Sequence, residues 1–180
     1  MFMPRCFIGF MLPESIKNEV ELMQKEVINF PIICKLVERE NLHICLSFLG
    51  DVENIENIKE KVDMIAKEQP SFNVSVGGLK AVPNEKYIRV LVLDVEDQTE
   101  CLKKIQKRIS QEIGGDSKPS HITLCRVKDV SNKSFVARKI EELKIRKGGE
   151  FIINSIQLIE STLIRSGPIY SVIYESKLMS

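Results

Sequence analysis

Tryptophan is absent from the 180 residues, and aromatic side chains make up only 6% of them. Too few flat faces remain for a broad base-stacking platform, the device with which many proteins hold single-stranded nucleic acid. Charge of one sign is also lacking. Lys and Arg number 26 against 25 Asp and Glu, a formal net charge of +1. A surface that grips long duplexes carries a marked basic excess. A nucleic-acid ligand is therefore expected to be met at one end or at one phosphate. No apolar run approaches the ~20 residues that a membrane-crossing helix requires. The opening MFMPRCFIGFML is apolar but short, and it lacks the basic start of a secretion signal. The five cysteines (Cys6, Cys34, Cys45, Cys101 and Cys125) include no C-x-x-C pair and are odd in number. Reduced, mostly buried thiols are the expected state, and a cytoplasmic location follows. Histidine is scarcer still: His43 and His121 are the whole supply.

What is present suits a folded domain. Hydrophobic residues make up 43% and charged residues 28%, which excludes a disordered or collagen-like chain. The length fits one domain, with room for two small lobes, and a monomer is the default. CFIGFML reads as a strand. After Pro13, residues Ile16, Val20, Met23 and Val27 fall at helical spacing. KLVE and ENLHICLSFLGDV read as strands, the second ended by Gly50-Asp51. NIENIKEKVDMIAKE is a second helix, closed by Pro70. FNVSVGGLKAV and YIRVLVLDV are two strands joined through a Pro83-Asn84 turn. TECLKKIQKRISQEI is a third helix, ended by Gly114-Gly115. SHITLCRV is a strand, and SNKSFVARKIEELKI is a fourth helix stopped by Gly148-Gly149. FIINSIQLIESTLI reads as one long, bulged strand. Gly167-Pro168 turns the chain into IYSVIYES. Hairpin-like strand pairs mixed with single helices favour an α+β fold over a doubly wound sheet. A histidine strand followed by a helix occurs once in each half, which suggests two similar lobes facing one another.

The two histidines sit in the same frame. LHICLSFL and SHITLCRV each carry Ile one residue after the histidine and Leu three after it. Alternate side chains of a strand share a face. Strict alternation puts His43, Cys45 and Ser47 together, opposite Ile44, Leu46 and Phe48. It puts His121, Thr123 and Cys125 together, opposite Ile122 and Leu124. Each strand thus offers a short polar face backed by an aliphatic one, which suits a cleft over a core.

Imidazole is the side chain whose ordinary pKa lies nearest neutrality. Phosphodiester hydrolysis needs a base to deprotonate water and an acid to protonate the departing oxygen. Two histidines on opposite sides of one phosphorus can do both. A hydroxyl two residues on can donate to a non-bridging oxygen and stabilise the transition state. Three other readings stay open on the pattern alone. The histidines could be ordinary buried, hydrogen-bonded core residues. His43, Cys45, His121 and Cys125 could form a thiolate–imidazole metal site, although no H-x-x-x-H occurs and catalytic zinc commonly takes three protein ligands. A cysteine could act as nucleophile, although no base and orienting group can be picked out for it.

The chain resembles the two-histidine phosphoesterase superfamily, and within it the RNA 2′,3′-cyclic phosphodiesterases of the LigT family, also called 2′-5′ RNA ligases. RCFIGFMLPE is similar to the family's opening strand. VERENLHICLSFLGDV and PSHITLCRVK resemble its two H-x-T-x blocks, and STLIRSGPIYSVI its closing strand pair. The resemblance implies a bilobal α+β fold over residues 1–180, with two antiparallel-sheet lobes, flanking helices, a pseudo-twofold axis and a central cleft. Each lobe would contribute one histidine motif. It implies opening of a 2′,3′-cyclic phosphate at an RNA 3′ end to a 2′-phosphate without metal or cofactor. Joining RNA ends through a 2′-5′ linkage is a known side activity of the family. The expected ligands are RNA 3′ ends, tRNA fragments among them, or cyclic nucleotides. On this basis His43 is the proton donor to the leaving 3′ oxygen and His121 the base. Thr123 binds phosphate oxygen and Arg126 adds positive charge.

Two positions depart from the pattern. Cys45 stands where the family has Thr or Ser, and a thiol is a weak donor. Ser47 or a backbone N–H is the expected substitute. A non-catalytic binder of RNA ends or nucleotides in the same cleft is the alternative that Cys45 favours. Arg126 has the wrong parity to join His121 unless the strand bulges. Arg5, Lys35, Arg39 and Lys118 are candidates for guiding RNA, each weighed against a solvated charge. Phe48 is expected in the core, and Tyr170 fits either core or cleft.

Overall fold

In the computed structural model, which describes residues 3–180, four helices flank one curled antiparallel sheet. The first two residues of the apolar N-terminal stretch lie outside the described residues. The strands are β1 (Arg5–Met11), β2 (Ile32–Leu36), β3 (His43–Asp51), β4 (Phe72–Asn84), β5 (Tyr87–Glu96), β6 (His121–Val130), β7 (Glu150–Ile153), β8 (Ser155–Ile164) and β9 (Gly167–Lys177). The helices are α1 (Glu14–Val27), α2 (Ile55–Ala66), α3 (Cys101–Glu112) and α4 (Lys133–Leu143). The α+β class expected from the element order is the one observed.

Local chemistry explains the helix limits. Pro13 precedes α1, whose Ile16, Val20, Met23 and Val27 are all buried. Asn54 and Asn132 cap α2 and α4, their side-chain oxygens accepting from Asn57 N and Phe135 N at 3.0 Å each. Asp97 accepts from Leu102 N at 2.8 Å at the start of α3.

The sheet order is β7-β4-β5-β6-β3-β1-β8-β9, with β2 also pairing β6. The two histidine strands lie side by side in the middle, yet they meet at a single pair, Ile44↔Ile122. From there they diverge. β6 takes β2 as its further partner, and β3 takes the segment at Asp116. The sheet therefore has two halves joined at a narrow seam. The helices cross over it: α1 follows β1 but packs on β6, and α3 follows β5 but packs on β3. Ile8, Ile44, Leu46, Ile122 and Leu124 are all fully buried beneath the seam. Each such side chain contributes roughly 1.5–3 kcal/mol.

Three elements differ from expectation. FIINSIQLIESTLI is two strands, not one. β7 pairs β4 and β8 pairs β1, so the chain crosses between halves at Asn154. The strand expected at KLVE lies earlier, over Ile32–Leu36. The β4–β5 turn falls after Asn84, because the Asn84 side-chain oxygen accepts from Lys86 N and Tyr87 N at 3.0 Å each.

Candidate active site

A cavity of about 720 Å³ opens at the seam. Its lining includes His43, Cys45, Thr123, His121, Arg126 and Phe48. Both histidines are held in the same way. His43 Nδ1 lies 2.7 Å from the Asn41 carbonyl oxygen and His121 Nδ1 lies 2.8 Å from that of Pro119. A carbonyl only accepts, so each Nδ1 carries a hydrogen and each Nε2 is the nitrogen that exchanges its proton.

Strand alternation breaks in both strands, at matching places. On β3, Cys45 pairs with Gly9 and Ser47 with Ile8, which leaves Leu46 as an extra residue. On β6, Thr123 pairs with Val92 and Cys125 with Leu91, which leaves Leu124 as an extra residue. A one-residue bulge reverses the facing of everything after it. Ser47 therefore turns inward, is fully buried and donates to the Gly114 carbonyl at 2.9 Å, so it does not stand in for Cys45. Cys125 is fully buried, away from the cavity. Phe48 lines the cavity instead of the core, and Arg126 joins His121 and Thr123. Gly9 permits the first bulge: a Cβ there would collide with the Ile44 carbonyl oxygen.

The electrostatics follow from these placements. His43 packs against the rings of Phe7 and Tyr170, with centroids 4.8 and 5.0 Å away. Burial lowers its pKa below the ordinary histidine value, against an opposing effect of the Asn41 carbonyl. The neighbouring His121 and Arg126 side chains lower it further. The Cys45 thiol is pushed up to about 11, by burial and then by the Asp116 carboxylate. It stays protonated, which disfavours it as nucleophile or thiolate ligand. Cys125 is pushed up to about 12, chiefly by burial.

The other candidates divide. Arg5 lines the cavity with its guanidinium 4.9 Å from the Phe48 ring centroid. Lys35 donates to the Ser166 carbonyl at 2.7 Å, and Lys118 lies 3.4 Å from Asp116. Arg39 is spent outside the cavity on Glu14, Glu21 and Asn18, at 2.6, 2.5 and 2.8 Å. It clamps α1 and does not guide a ligand. Tyr170 lines the cavity. The sequence reading missed Asn41, a buried amide. Asn41 Nδ2 donates to the Pro168 carbonyl at 2.8 Å and its Oδ1 accepts from Tyr170 N at 3.3 Å, which latches β9 over His43. A polar residue beside a buried leucine and two before a histidine is the one sign of it. The four donors of the thiolate–imidazole alternative are not brought together, because Cys125 faces away. Among the described residues no three His, Cys, Asp or Glu side chains gather as a metal site.

Comparison with known proteins agrees with this architecture. The sequence model of the LigT-like phosphoesterases matches residues 10–92 and 93–170, so each stretch contains one histidine strand. An RNA 2′,3′-cyclic phosphodiesterase of Methanocaldococcus jannaschii is 36% identical over 176 residues, 95% of this chain and 99% of that one. One from Aquifex aeolicus is 34% identical, over 95% of each chain. A crystal structure from Thermus thermophilus superposes with a TM-score of 0.80 at 21% identity, over 97% of both chains. E. coli LigT complexed with phosphate gives 0.75 at 19% identity, over the whole of both. The two structures share the fold, and the sequence matches carry the kinship. The chain belongs to the LigT-like phosphoesterase family.

Proposed function

We propose that this chain hydrolyses 2′,3′-cyclic phosphate ends of RNA to 2′-phosphates, with its two histidines as base and acid. The observation that carries this reading is the matched pair of imidazoles in one cavity, each with Nδ1 fixed and Nε2 left for proton exchange. His121 Nε2 takes a proton from water as the water oxygen bonds to phosphorus. The bond from phosphorus to the 3′ oxygen breaks, and His43 gives that oxygen a proton. The product carries a 2′-phosphate and a 3′-hydroxyl. Thr123 donates to a non-bridging oxygen and Arg126 offsets the phosphate charge, the interactions that favour the transition state most. Phe48, with Arg5 over it, offers a flat face to the nucleoside. An RNA 5′-hydroxyl in place of water would give a 2′-5′ joint.

Relatives named for this activity support the reading, as do crystals of E. coli LigT, which shares the fold, complexed with phosphate and with 3′-AMP. No step calls for a metal or cofactor. The reading takes residues 1–180 as one bilobal unit, monomeric and cytoplasmic, acting on RNA 3′ ends such as tRNA fragments or on cyclic nucleotides.

The test is incubation of the purified protein with an oligonucleotide ending in a 2′,3′-cyclic phosphate, with and without chelator. A 2′-phosphate formed at equal rates in both is the expected result. Loss of activity on chelation would contradict the metal-free step. Binding without product would favour the second reading, a non-catalytic binder, for which the weak Cys45 donor is the specific motive.

A further inference from the structure

Two glutamine side chains occupy equivalent places behind the two histidine strands. Gln24, on α1, is only 5% exposed. Its Nε2 donates to the Leu124 carbonyl at 3.0 Å and to the Val37 carbonyl at 2.9 Å. Gln106, on α3, repeats this on the other half. Its Nε2 donates to the Leu46 carbonyl at 3.2 Å and to the Lys118 carbonyl at 2.8 Å. Leu124 and Leu46 are the two bulged residues. Val37 and Lys118 belong to the flanking segments that run beside β6 and β3 where those strands have parted.

The match has a physical reason. The extra residue of a bulge drops out of the ladder, and its backbone groups need other partners. At Leu124 the carbonyl takes Val37 N at 2.9 Å as well as the Gln24 amide. Each amide thus pins a bulge to its flanking segment. Without the bulge, Arg126 would face away from His121, and Phe48 away from His43.

We propose that Gln24 and Gln106 are a pair of positioning residues: Gln24 holds the bulge that aims Arg126 at the phosphate, and Gln106 holds the bulge that aims Phe48 at the nucleoside. This rests on the phosphodiesterase reading of the cavity. Neither glutamine touches the ligand, so each acts through the residue that its bulge delivers. The two halves then carry one device with unlike outputs, a cation on one strand and a ring on the other.

Double-mutant cycles separate this from a general structural role. Gln24→Leu keeps the side-chain bulk and removes the donor. It is expected to lower kcat/KM about tenfold or more in the wild-type background and less than about threefold in Arg126→Ala, where there is no guanidinium left to aim. Gln106→Leu should show the same collapse in Phe48→Ala, and keep its full effect in Arg126→Ala. Losses that multiply in the Gln24–Arg126 or the Gln106–Phe48 pair, or a Gln24→Leu enzyme at the wild-type rate, would overturn the proposal. Should Gln24→Leu fail to fold, Gln24→Met carries the same cycle. Failure of both to fold would overturn it too, as the mark of a purely structural residue. A wild-type protein inactive on cyclic phosphate would sink the phosphodiesterase reading instead. The Gln24–Arg126 cycle can then be read in the affinity for inorganic phosphate, which needs no turnover.

Discussion

Burial, reinforced by the neighbouring His121 and Arg126 side chains, keeps the His43 imidazole below its ordinary pKa, so the free protein holds it neutral at pH 7. In the proposed mechanism His43 must be protonated to act as the acid, and an anionic substrate would resolve the conflict. A negative phosphate entering the cavity favours the imidazolium and raises the pKa it finds there. With only two histidines in the chain, NMR titration of the ring protons gives two curves. The His43 midpoint is expected below 6.5 in the free protein and higher with sulfate, an anion that does not itself titrate in this range. A midpoint at or above 6.5 without ligand would contradict this description of the site. Burial also sets the chemistry of Cys45. Its thiol is pushed up to about 11 and offers only a weak donor. One good oxyanion donor is worth roughly 3 kcal/mol, about a hundredfold in rate. Cys45→Thr is therefore expected to hold or raise single-turnover rates, and a severe loss would give the thiol a role of its own.

At the level of strands and helices, the chain's own periodicity carried most of the architecture. The four helices and the two histidine strands follow from apolar spacing and glycine or proline stops. What periodicity does not carry is pairing. The bulges at Leu46 and Leu124 exist because β3 meets β1, and β6 meets β5, in registers that slip by one residue. Each partner is separated from its strand by at least one helix. Counting alternate residues from each histidine therefore placed Ser47 and Cys125 on the cavity side, and Phe48 and Arg126 off it, all reversed by one slip per strand. Gly9 is the local trace of the first slip, since only a residue without Cβ fits against the Ile44 carbonyl. The break at Asn154 was hidden for the same reason. β7 and β8 both look like strand, and only their partners, β4 and β1, lie in different halves. Asn41 escaped notice because its value lies in contacts to β9, more than 120 residues away.

Taken whole, the molecule places one histidine strand at the inner edge of each half-sheet and joins the two at a single residue pair. The cavity forms where the strands part, so the seam that ties the halves also sets the spacing of the two imidazoles. Helices crossing from one half to brace the other make that spacing a property of the entire fold. Near-zero net charge suits a ligand held at one phosphate, with Arg5 and Arg126 supplying local positive charge. If both rings serve one phosphorus in one step, their contributions are not independent, and removing the second after the first should cost little more. The measurement is the single-turnover rate of His43→Ala, His121→Ala and the double variant on a cyclic-phosphate-ended oligonucleotide, with circular dichroism to check the fold. The expected result is near-complete loss in each single variant, a double variant no slower than either, and native spectra throughout. A single variant at the wild-type rate, or losses that multiply in the double, would contradict a shared phosphorus.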